Sequence, residues 1–225
     1  MELLQDRHDA GKRLAGALSH YAGQPGTVVL ALPRGGVPVA YEISRILDLP
    51  LDVLLVRKLG VPGHAELAMG AIAWGNIRVL NRDIVKELNI SDDAIEDAVA
   101  RESELIRQRN TRYRNDRPPP LVEGKTVIVV DDGLATGATM KAAIAALRQA
   151  EAGRIVAVAP VGASSTRDEL LALADEVVCL ATPHPFYGVG QWYADFSQIG
   201  DTLVVDLLNK CRARRTGEVR PDDKN

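Results

Sequence analysis

Four consecutive β-branched residues, Val127–Val130, lead directly into two adjacent carboxylates, and this junction constrains the fold more than any other part of the chain. An uninterrupted apolar run of this kind is typical of a strand buried on both faces, as in a parallel sheet. The carboxylates are Asp131 and Asp132, and only small residues and a leucine separate them from Thr139. A helix follows, whose buried face we expect to carry Met140, Ile144 and Leu147. The segment therefore predicts a strand, a loop and a helix N-terminus of an α/β protein.

This combination of groups can bind a phosphorylated sugar. Adjacent carboxylates accept hydrogen bonds from two neighbouring hydroxyls, while loop amides and the positive end of the helix dipole hold a phosphate. An aspartate after a strand often serves only as a helix cap, but a cap does not require two adjacent acids followed by Gly, Ala, Leu and Thr alone. A nucleotide P-loop does not fit, because no lysine follows the last glycine and the spacing differs.

The whole segment, VIVVDDGLATGAT, resembles the phosphoribosyl-diphosphate (PRPP) signature of the type I phosphoribosyltransferases, especially its adenine-type variant. The resemblance implies that Asp131 and Asp132 hold the ribose 2- and 3-hydroxyls. Hypoxanthine-guanine enzymes carry a third acid where this chain has Ala135, which argues against that class. The resemblance further implies that the 5-phosphate is wrapped by Ala135, Thr136, Gly137, Ala138 and Thr139.

A second apolar strand, at Thr27–Leu32, runs into Pro33, Arg34, Gly35 and Gly36. A Gly-Gly pair between a strand and a helix lets the backbone approach an anion, and the arginine adds positive charge. The alternative is an ordinary turn with a surface arginine. Beside the first segment, this turn resembles the diphosphate-binding loop of the xanthine-guanine and orotate enzymes.

A third strand, Leu51–Lys58, ends in two cations, Arg57 and Lys58, and opens into a Gly/Pro-rich stretch, Leu59–Glu66. We expect a mobile, charged lid here, and the start of this stretch resembles the flexible loop that closes over the diphosphate in adenine- and orotate-type enzymes. Those loops usually carry a further lysine, which only His64 could replace in this chain. The alternative is that His64 is an ordinary loop histidine, and Lys58 is the stronger candidate.

Aromatic residues near the C-terminus cluster in CLATPHPFYGVGQWYADF, which starts at Cys179. By resemblance this segment is the hood, an element that supplies a wall against which a flat base can stack. The candidate ring contacts are Phe186, Trp192 and Tyr193, with Asp195 as a polar group that reads the base. For each of these side chains, packing within the hood is the alternative.

Bulk properties exclude several classes of protein. With 225 residues, of which 46% are hydrophobic, the chain suits one α/β domain with a small appendage. Its net charge of −3 gives no general attraction to nucleic acid or to an anionic membrane. No apolar run approaches a membrane span, and the N-terminus is unlike a signal peptide. Cys179 and Cys211 lack metal-ligand spacing, so we expect reduced thiols and a cytoplasmic protein.

Strands and helices alternate along the chain, which predicts a doubly wound parallel sheet with ligands at the carboxyl ends of its strands. The remaining strands are expected at Lys125–Val130, Arg154–Ala159 and Glu176–Leu180. Helices are expected at Leu14–Tyr21, Val37–Leu47, Gly137–Glu151 and Ser164–Leu173.

A hairpin at Gly75-Asn76 and a helical insertion at 81–117 interrupt this pattern. Ser91 is placed to cap the second part of the insertion. The insertion ends in an arginine-rich stretch, Arg107–Arg117, which is either a solvated helix end or a contact for phosphate or RNA. We therefore expect a core at 1–180, a hood and C-terminal helix at 181–211, and a disordered tail at 212–225.

The sequence thus predicts a Mg²⁺-dependent phosphoribosyltransferase, in which a ring nitrogen displaces diphosphate from C1 of PRPP or the reverse occurs. The candidate catalytic residues are Asp131, Asp132, Lys58 and Arg34. Mg²⁺ would contact the two acids mostly through ligand oxygens and water. The expected partners are PRPP and a heterocyclic base or the product nucleotide, without membrane or nucleic acid, and with a homodimer allowed. The main alternative is a PRPP- or nucleotide-sensing regulator on the same fold, and a third is phosphorolysis or hydrolysis of a nucleotide.

Overall fold

Two sheets and seven α-helices form the part of the chain that the computed structural model describes, residues 2–75 and 77–216. The strands are β1 (Thr27–Ala31), β2 (Leu51–Val53), β3 (Val56–Val61), β4 (His64–Ala73), β5 (Ile77–Leu80), β6 (Thr126–Val130), β7 (Arg154–Val161) and β8 (Glu176–Ala181). The helices are α1 (Arg7–Ala17), α2 (Gly36–Leu47), α3 (Arg82–Glu87), α4 (Asp92–Arg114), α5 (Ala138–Gln149), α6 (Ser164–Leu171) and α7 (Asp201–Thr216).

The central sheet has five parallel strands in the order β2-β1-β6-β7-β8, which confirms the predicted fold class. Strand β6 lies in the middle, and its β-branched run is fully buried because both faces of the sheet are covered. Ile128 and Val130 pack into a core shared with α1, α2 and α7, whereas Val127 and Val129 pack against α5. The apolar run therefore places Asp131, the next residue, at the carboxyl edge of the sheet.

The third predicted strand is divided between the two sheets. Strand β2 ends at Val53, and β3 begins at Val56 in a separate antiparallel sheet of order β3-β4-β5. The prediction of a single strand at Leu51–Lys58 was therefore wrong, since a largely apolar run of residues does not show where the chain leaves one sheet and enters another.

The predicted lid at Leu59–Glu66 is also corrected by the structure, because this stretch is a β-hairpin rather than an irregular loop. Strand β3 continues to Val61 and pairs with β4 from His64, with a turn at Pro62 and Gly63. Leu59 is fully buried, so the base of the hairpin belongs to the core. The two glycines of this stretch have roles within the hairpin. Gly60 lies at an irregularity where the register of β3 and β4 shifts, and Gly63 adopts a φ of 77° in the turn.

The helical insertion is confirmed as α3 followed by α4. Ser91 caps α4, since its hydroxyl accepts a hydrogen bond from the main-chain N–H of Ala94 at 3.3 Å. The helix ends at Arg114, a residue that is only 2% exposed and whose guanidinium donates two hydrogen bonds to Asp52, both of 2.9 Å. This bidentate pair joins the insertion to the central sheet.

The predicted hairpin before the insertion is confirmed by the pairing of Ala73 with Ile77, although Asn76 itself lies outside the described residues.

The N-terminal segment pairs with the hood, which the sequence did not indicate. The main-chain N–H of Leu4 donates to the carbonyl of Trp192 at 3.0 Å, and the N–H of Ala194 donates back to Leu4 at 2.7 Å. Helix α1 is thereby held beside the hood, at the edge where the acid pair lies.

The C-terminal helix is longer than predicted. Because α7 continues to Thr216, residues 212–216 are helical and the prediction of a tail from 212 was wrong in that part. Residues 217–225 lie outside the described residues. Among the described helices, none is both long and apolar enough to cross a membrane.

Candidate active site

The two acids that follow β6 are held in place by three hydrogen bonds. The N–H of Asp132 donates to Oδ1 of Asp131 at 2.9 Å, while Oδ2 of Asp132 accepts from Nε of Arg7 at 2.8 Å. The hydroxyl of Tyr193 donates to the main-chain carbonyl of Asp132 at 2.6 Å. The acid pair is therefore positioned from the helix side by α1 and from the hood side by Tyr193.

Arg7 is a site residue that the sequence analysis missed. It lies in α1, is only 7% exposed, and has its guanidinium carbon 3.9 Å from the centre of the Phe196 ring. Its Nη1 also donates to the carbonyl of Ser197 at 2.9 Å. No local pattern identifies this arginine, because 125 residues separate it from the carboxylate that it pairs with.

Electrostatics distinguish the two acids. Burial, followed by the charge of the neighbouring Asp132, raises the pKa of Asp131 well above its ordinary value, and the more distant Arg7 offsets this only in part. In the ligand-free site, the ionised form of Asp131 is therefore less favourable than that of an exposed aspartate. Hydroxyl donors or a cation at this carboxyl would favour the ionised form, so ligand binding is coupled to its ionisation.

This raised pKa predicts that Asp131→Asn stabilises the ligand-free protein at neutral pH. A group whose pKa is higher in the folded state than in the unfolded chain contributes less stability as the pH rises past its ordinary value of 3.8, whereas asparagine does not ionise. Thermal unfolding without Mg²⁺ should show a higher Tm for the variant at about pH 7.5 and a smaller gain at about pH 3.5. Each kcal/mol gained would raise Tm by about 2–4 °C.

The control for this measurement is Asp168→Asn, at an exposed carboxylate beside Arg167. A Tm for Asp131→Asn below that of the wild type at neutral pH would contradict the raised pKa, because it would mean that the ionised carboxylate stabilises the fold.

The loop between Asp132 and α5 presents free main-chain amides next to a helix N-terminus. Ala135 and Thr136 are exposed, Gly137 has a left-handed φ of 65°, and α5 begins at the next residue. Within the described part of the chain, the main-chain N–H groups of Ala135, Thr136 and Gly137 have no hydrogen-bond acceptor. Thr166 fixes the loop from below, since its hydroxyl donates to the carbonyl of Ala135 at 2.6 Å. Free amides at a helix N-terminus are the donors that a phosphate requires.

The loop that follows β1 packs directly against the acid pair. A Cβ atom at Gly35 would lie 1.9 Å from Oδ2 of Asp132, and one at Gly36 would lie 2.5 Å from the carbonyl oxygen of Val130. A side chain at either position would therefore displace the Asp132 carboxylate or the backbone of β6, so glycine is needed here for the close approach of the loop to β6 rather than for a turn. The peptide bond between Pro33 and Arg34 is cis. The structure thus brings the two loops that the sequence singled out into contact.

The side chain of Arg34 lines two neighbouring cavities, of about 290 and about 480 Å³. Its Nη1 is 3.9 Å from Oδ1 of Asp201, a weak pair at the N-terminus of α7. On one side it lines a cavity of about 480 Å³ that includes Arg7, Asp132 and three hood residues, Phe196, Gln198 and Ile199. These hood side chains, which the sequence analysis did not select, face the acid pair.

The three candidates from the lid region have different positions. Lys58 lines a cleft of about 860 Å³ that reaches Pro33 and Thr139, at the ends of the two loops described above. Arg57 donates to Oε2 of Glu102 at 2.6 Å and so links the hairpin to α4. His64 is exposed at the start of β4 and is not among the described residues that line this cleft.

The hood candidates are less accessible than expected. Tyr193 is only 5% exposed and packs on Phe196, which corresponds to the alternative of hood packing. Its hydroxyl remains a donor, because burial raises its pKa. Phe186 and Trp192 are half-buried against the core, and the buried indole Nε1 of Trp192 has no hydrogen-bond partner among the described residues. Asp195 is exposed and accepts from the N–H of Ser197 at 2.9 Å.

The donor set at the acid pair fits Mg²⁺ bound mainly through a ligand. Among the described residues, no group of three or more His, Cys, Asp or Glu side chains could hold a metal ion by itself. Asp131 and Asp132 offer two adjacent carboxylates, and Mg²⁺ commonly takes one or two carboxylates together with substrate oxygens and water.

Comparison with known proteins gives matches over nearly the whole chain. Residues 2–191 match the family model for the phosphoribosyl transferase domain. A Mycobacterium tuberculosis protein named "Putative phosphoribosyl transferase Rv0571c" is 46% identical over 211 residues, which are 93% of this chain and 47% of that protein. The chain thus spans about half the length of the curated relatives it matches.

A solved structure has the same fold. The crystal structure of the protein TT1426 from Thermus thermophilus superimposes with a TM-score of 0.84 at 41% identity, covering 93% of this chain and 99% of that one.

Proposed function

This chain belongs to the phosphoribosyl transferase family, and from that premise we propose that it transfers the 5-phosphoribosyl group between PRPP and a nitrogenous base, with release or uptake of diphosphate. The observation that carries the proposal is the contact between the Arg34-Gly35-Gly36 loop and Asp132. Because of this contact, the Arg34 loop, the two acids and a set of free loop amides lie at one edge of the sheet, which supports a diphosphate-binding role for the loop and a sugar-binding role for the acids. A ligand with a ribose between a phosphate and a diphosphate matches that set of groups.

The acids and the phosphate loop position the sugar in this proposal. Asp131 and Asp132 accept hydrogen bonds from the 2- and 3-hydroxyls, while Arg7 keeps Asp132 oriented at 2.8 Å. The free N–H groups of Ala135, Thr136 and Gly137 hold the 5-phosphate, with Thr139 in the first turn of α5 beside them.

In the transfer step, the bond between C1 and the diphosphate oxygen breaks and a bond from a ring nitrogen to C1 forms. The proton that the ring nitrogen carries passes to solvent water. The electron pair of the broken bond leaves with the diphosphate, and positive charge develops on the ribose. Arg34 and Lys58 stabilise the departing anion, and the carboxylates stabilise the developing cation. Asp131 and Asp132 would hold Mg²⁺ together with ligand oxygens and water, and the ion would supply further neutralisation of the leaving group.

The base would enter the cavity of about 480 Å³ between Arg34 and the hood. Phe196 offers an aromatic ring and Gln198 an amide that both donates and accepts, which suits a heterocycle with several ring nitrogens. The roles of Phe186, Trp192 and Asp195 at this cavity stay predictions, as do those of Arg57 and His64.

The competing regulator would bind PRPP without turnover and use the arginine-rich end of α4 for nucleic acid. Three of the arginines in Arg107–Arg117 already form ion pairs within the protein. Arg107 pairs with Glu104, Arg112 with Asp201 and Arg114 with Asp52. The regulator therefore loses its main support, and the enzyme is the better proposal.

Diphosphate release tests the proposal directly. The purified chain, given PRPP, Mg²⁺ and a mixed pool of purines, pyrimidines and related heterocycles, should release diphosphate above the level of the Asp131→Asn variant. Diphosphate release should be lost when Mg²⁺ is omitted, and also when the bases are omitted.

Two outcomes would count against transfer. PRPP binding by calorimetry without turnover on any base would favour the regulator, and the absence of PRPP binding would exclude both. Cytoplasmic location and a homodimer stay predictions that this experiment does not address.

A further inference from the structure

The cleft of about 860 Å³ lies between the β3–β4 hairpin and helix α4 of the insertion. Its lining includes Lys58 and Arg57 from the hairpin and two further arginines from α4, Arg101 and Arg109. Glu102 is the one carboxylate among the described lining residues. The cleft therefore carries a net positive charge, and low-dielectric walls around it strengthen its attraction for an anion.

Three of these cations are available to a ligand. Glu102 is already bonded to Arg57 at 2.6 Å. Within the part of the chain that the structure describes, the side chains of Lys58, Arg101 and Arg109 form no hydrogen bond or ion pair. Like charges that face one space without counter-ions destabilise the fold, and they are typically retained where an anionic ligand neutralises them.

The cleft is continuous with the proposed PRPP site. Pro33 lines it at the start of the Arg34 loop, and Thr139 lines it at the phosphate loop. Arg109 and Arg34 also share a neighbouring cavity of about 290 Å³. Helix α4 thus presents arginine side chains to the same space into which a diphosphate on C1 would extend.

We propose that helix α4 provides half of the diphosphate clamp, with Arg101 and Arg109 binding the diphosphate from the side opposite Arg34. This inference rests on the proposed function and adds to it. The hairpin has Gly60, Val61 and Pro62 where the similar flexible loops carry a further lysine, so the charge that the hairpin lacks comes from the insertion. Eight residues separate Arg101 from Arg109, about 12 Å along the helix, which suits a ligand longer than a single phosphate.

The clamp is largely formed before the ligand binds. The ion pair of Arg57 with Glu102 fastens the hairpin to α4, and the buried Leu59 fixes the base of the hairpin in the core. A preformed site loses less conformational entropy on binding than a disordered loop that must close. Diphosphate alone should therefore bind to the free protein.

Titration of Mg²⁺-diphosphate into the full chain tests this inference without any turnover. The variants are Arg101→Gln, Arg109→Gln and their combination. We expect each single change to weaken binding about 10-fold or more, since hydrogen bonds to a charged ligand are lost. Arg107→Gln is the matched control, because that arginine lies on the same helix, is exposed and already pairs with Glu104. It should change affinity less than twofold.

Kinetics then separate a clamp from a structural role. With PRPP and the best base, Arg109→Gln should lower kcat more than it raises KM for PRPP, because a leaving group gains charge in the transition state. Arg109→Lys should restore part of the rate, whereas a packing defect would not be rescued in this way. Thermal unfolding of every variant verifies that it is folded.

The outcomes distinguish this inference from the proposed function. Variants that bind diphosphate and turn over like Arg107→Gln, in a protein that is active with PRPP, would overturn the clamp and leave the transferase intact. Arginine-dependent diphosphate binding in a protein without turnover would support the anion site while the transferase proposal fails. Failure of the wild type to bind diphosphate would overturn the clamp.

Discussion

Replacement of both acids, Asp131→Asn with Asp132→Asn, should remove nearly all measurable affinity for PRPP. Each carboxylate is proposed to accept a charge-assisted hydrogen bond from a ribose hydroxyl, and such bonds contribute about 1.5–3 kcal/mol each. The two losses together predict an affinity about 10²- to 10⁴-fold lower. Calorimetric titration of PRPP with Mg²⁺ measures the effect directly.

The two single variants separate binding from folding. Asp131→Asn should leave the ligand-free protein at least as stable as the wild type at neutral pH, because the raised pKa of Asp131 reflects an unfavourable charge. Asp132→Asn removes the partner of a 7% exposed arginine, so it should lower stability as well as affinity. Unchanged PRPP affinity in a folded double variant would remove the acids from the sugar site.

Gly35→Ala should reduce kcat/KM about 100-fold or more while the protein stays folded, since a displacement of about 1 Å at a reacting centre can have an effect of this size. Gly35 has a φ of −60° and a ψ of −35°, which alanine adopts without strain. The effect must therefore come from the methyl group, which would lie 1.9 Å from Oδ2 of Asp132. To accommodate this methyl group in the variant, either the Asp132 carboxylate must turn away from Arg7 or the Arg34-Gly35-Gly36 loop must move away from the acids.

The control for this variant is Gly16→Ala, in α1, where a Cβ atom meets nothing within 4 Å. It should leave kcat/KM unchanged and stabilise the protein by at most about 0.5–1 kcal/mol, the gain of alanine over glycine in a helix interior, because Gly16 lies in the last turn of α1. Activity of Gly35→Ala equal to that of Gly16→Ala would mean that the contact between the loop and Asp132 has no part in the reaction.

Much of the central sheet could be predicted because its signals are local. Each parallel strand is an apolar run, and the run at Val127–Val130 is buried on both faces as such a pattern requires. The cap of α4 by Ser91 is equally local, since its donor is three residues away. The hairpin at β3 and β4 was missed because glycine and proline mark loops, bulges and turns alike, and only the pairing partner decides among them.

In the candidate site, too, the local features could be predicted from the sequence and the long-range contacts could not. The sequence by itself determined which segments are candidates for the chemistry, because Asp131, Asp132 and the Arg34-Gly35-Gly36 turn are contiguous groups that follow apolar strands. It did not determine how these segments touch. The packing of Gly35 on Asp132 depends on the parallel pairing of β1 with β6, which joins positions about a hundred residues apart in the chain.

Only the tertiary structure decided the charge balance around the site. Arg7 reaches Asp132 from the N-terminal helix, Arg57 is neutralised by Glu102, and Arg101 and Arg109 face the cleft without ion-pair partners among the described residues. A charged side chain looks the same in sequence whether it is paired, buried or free, because its partner is set by the fold and not by its neighbours in the chain. The sequence therefore determined the candidate binding loops, and the tertiary structure determined which cations near them have no partner among the described residues.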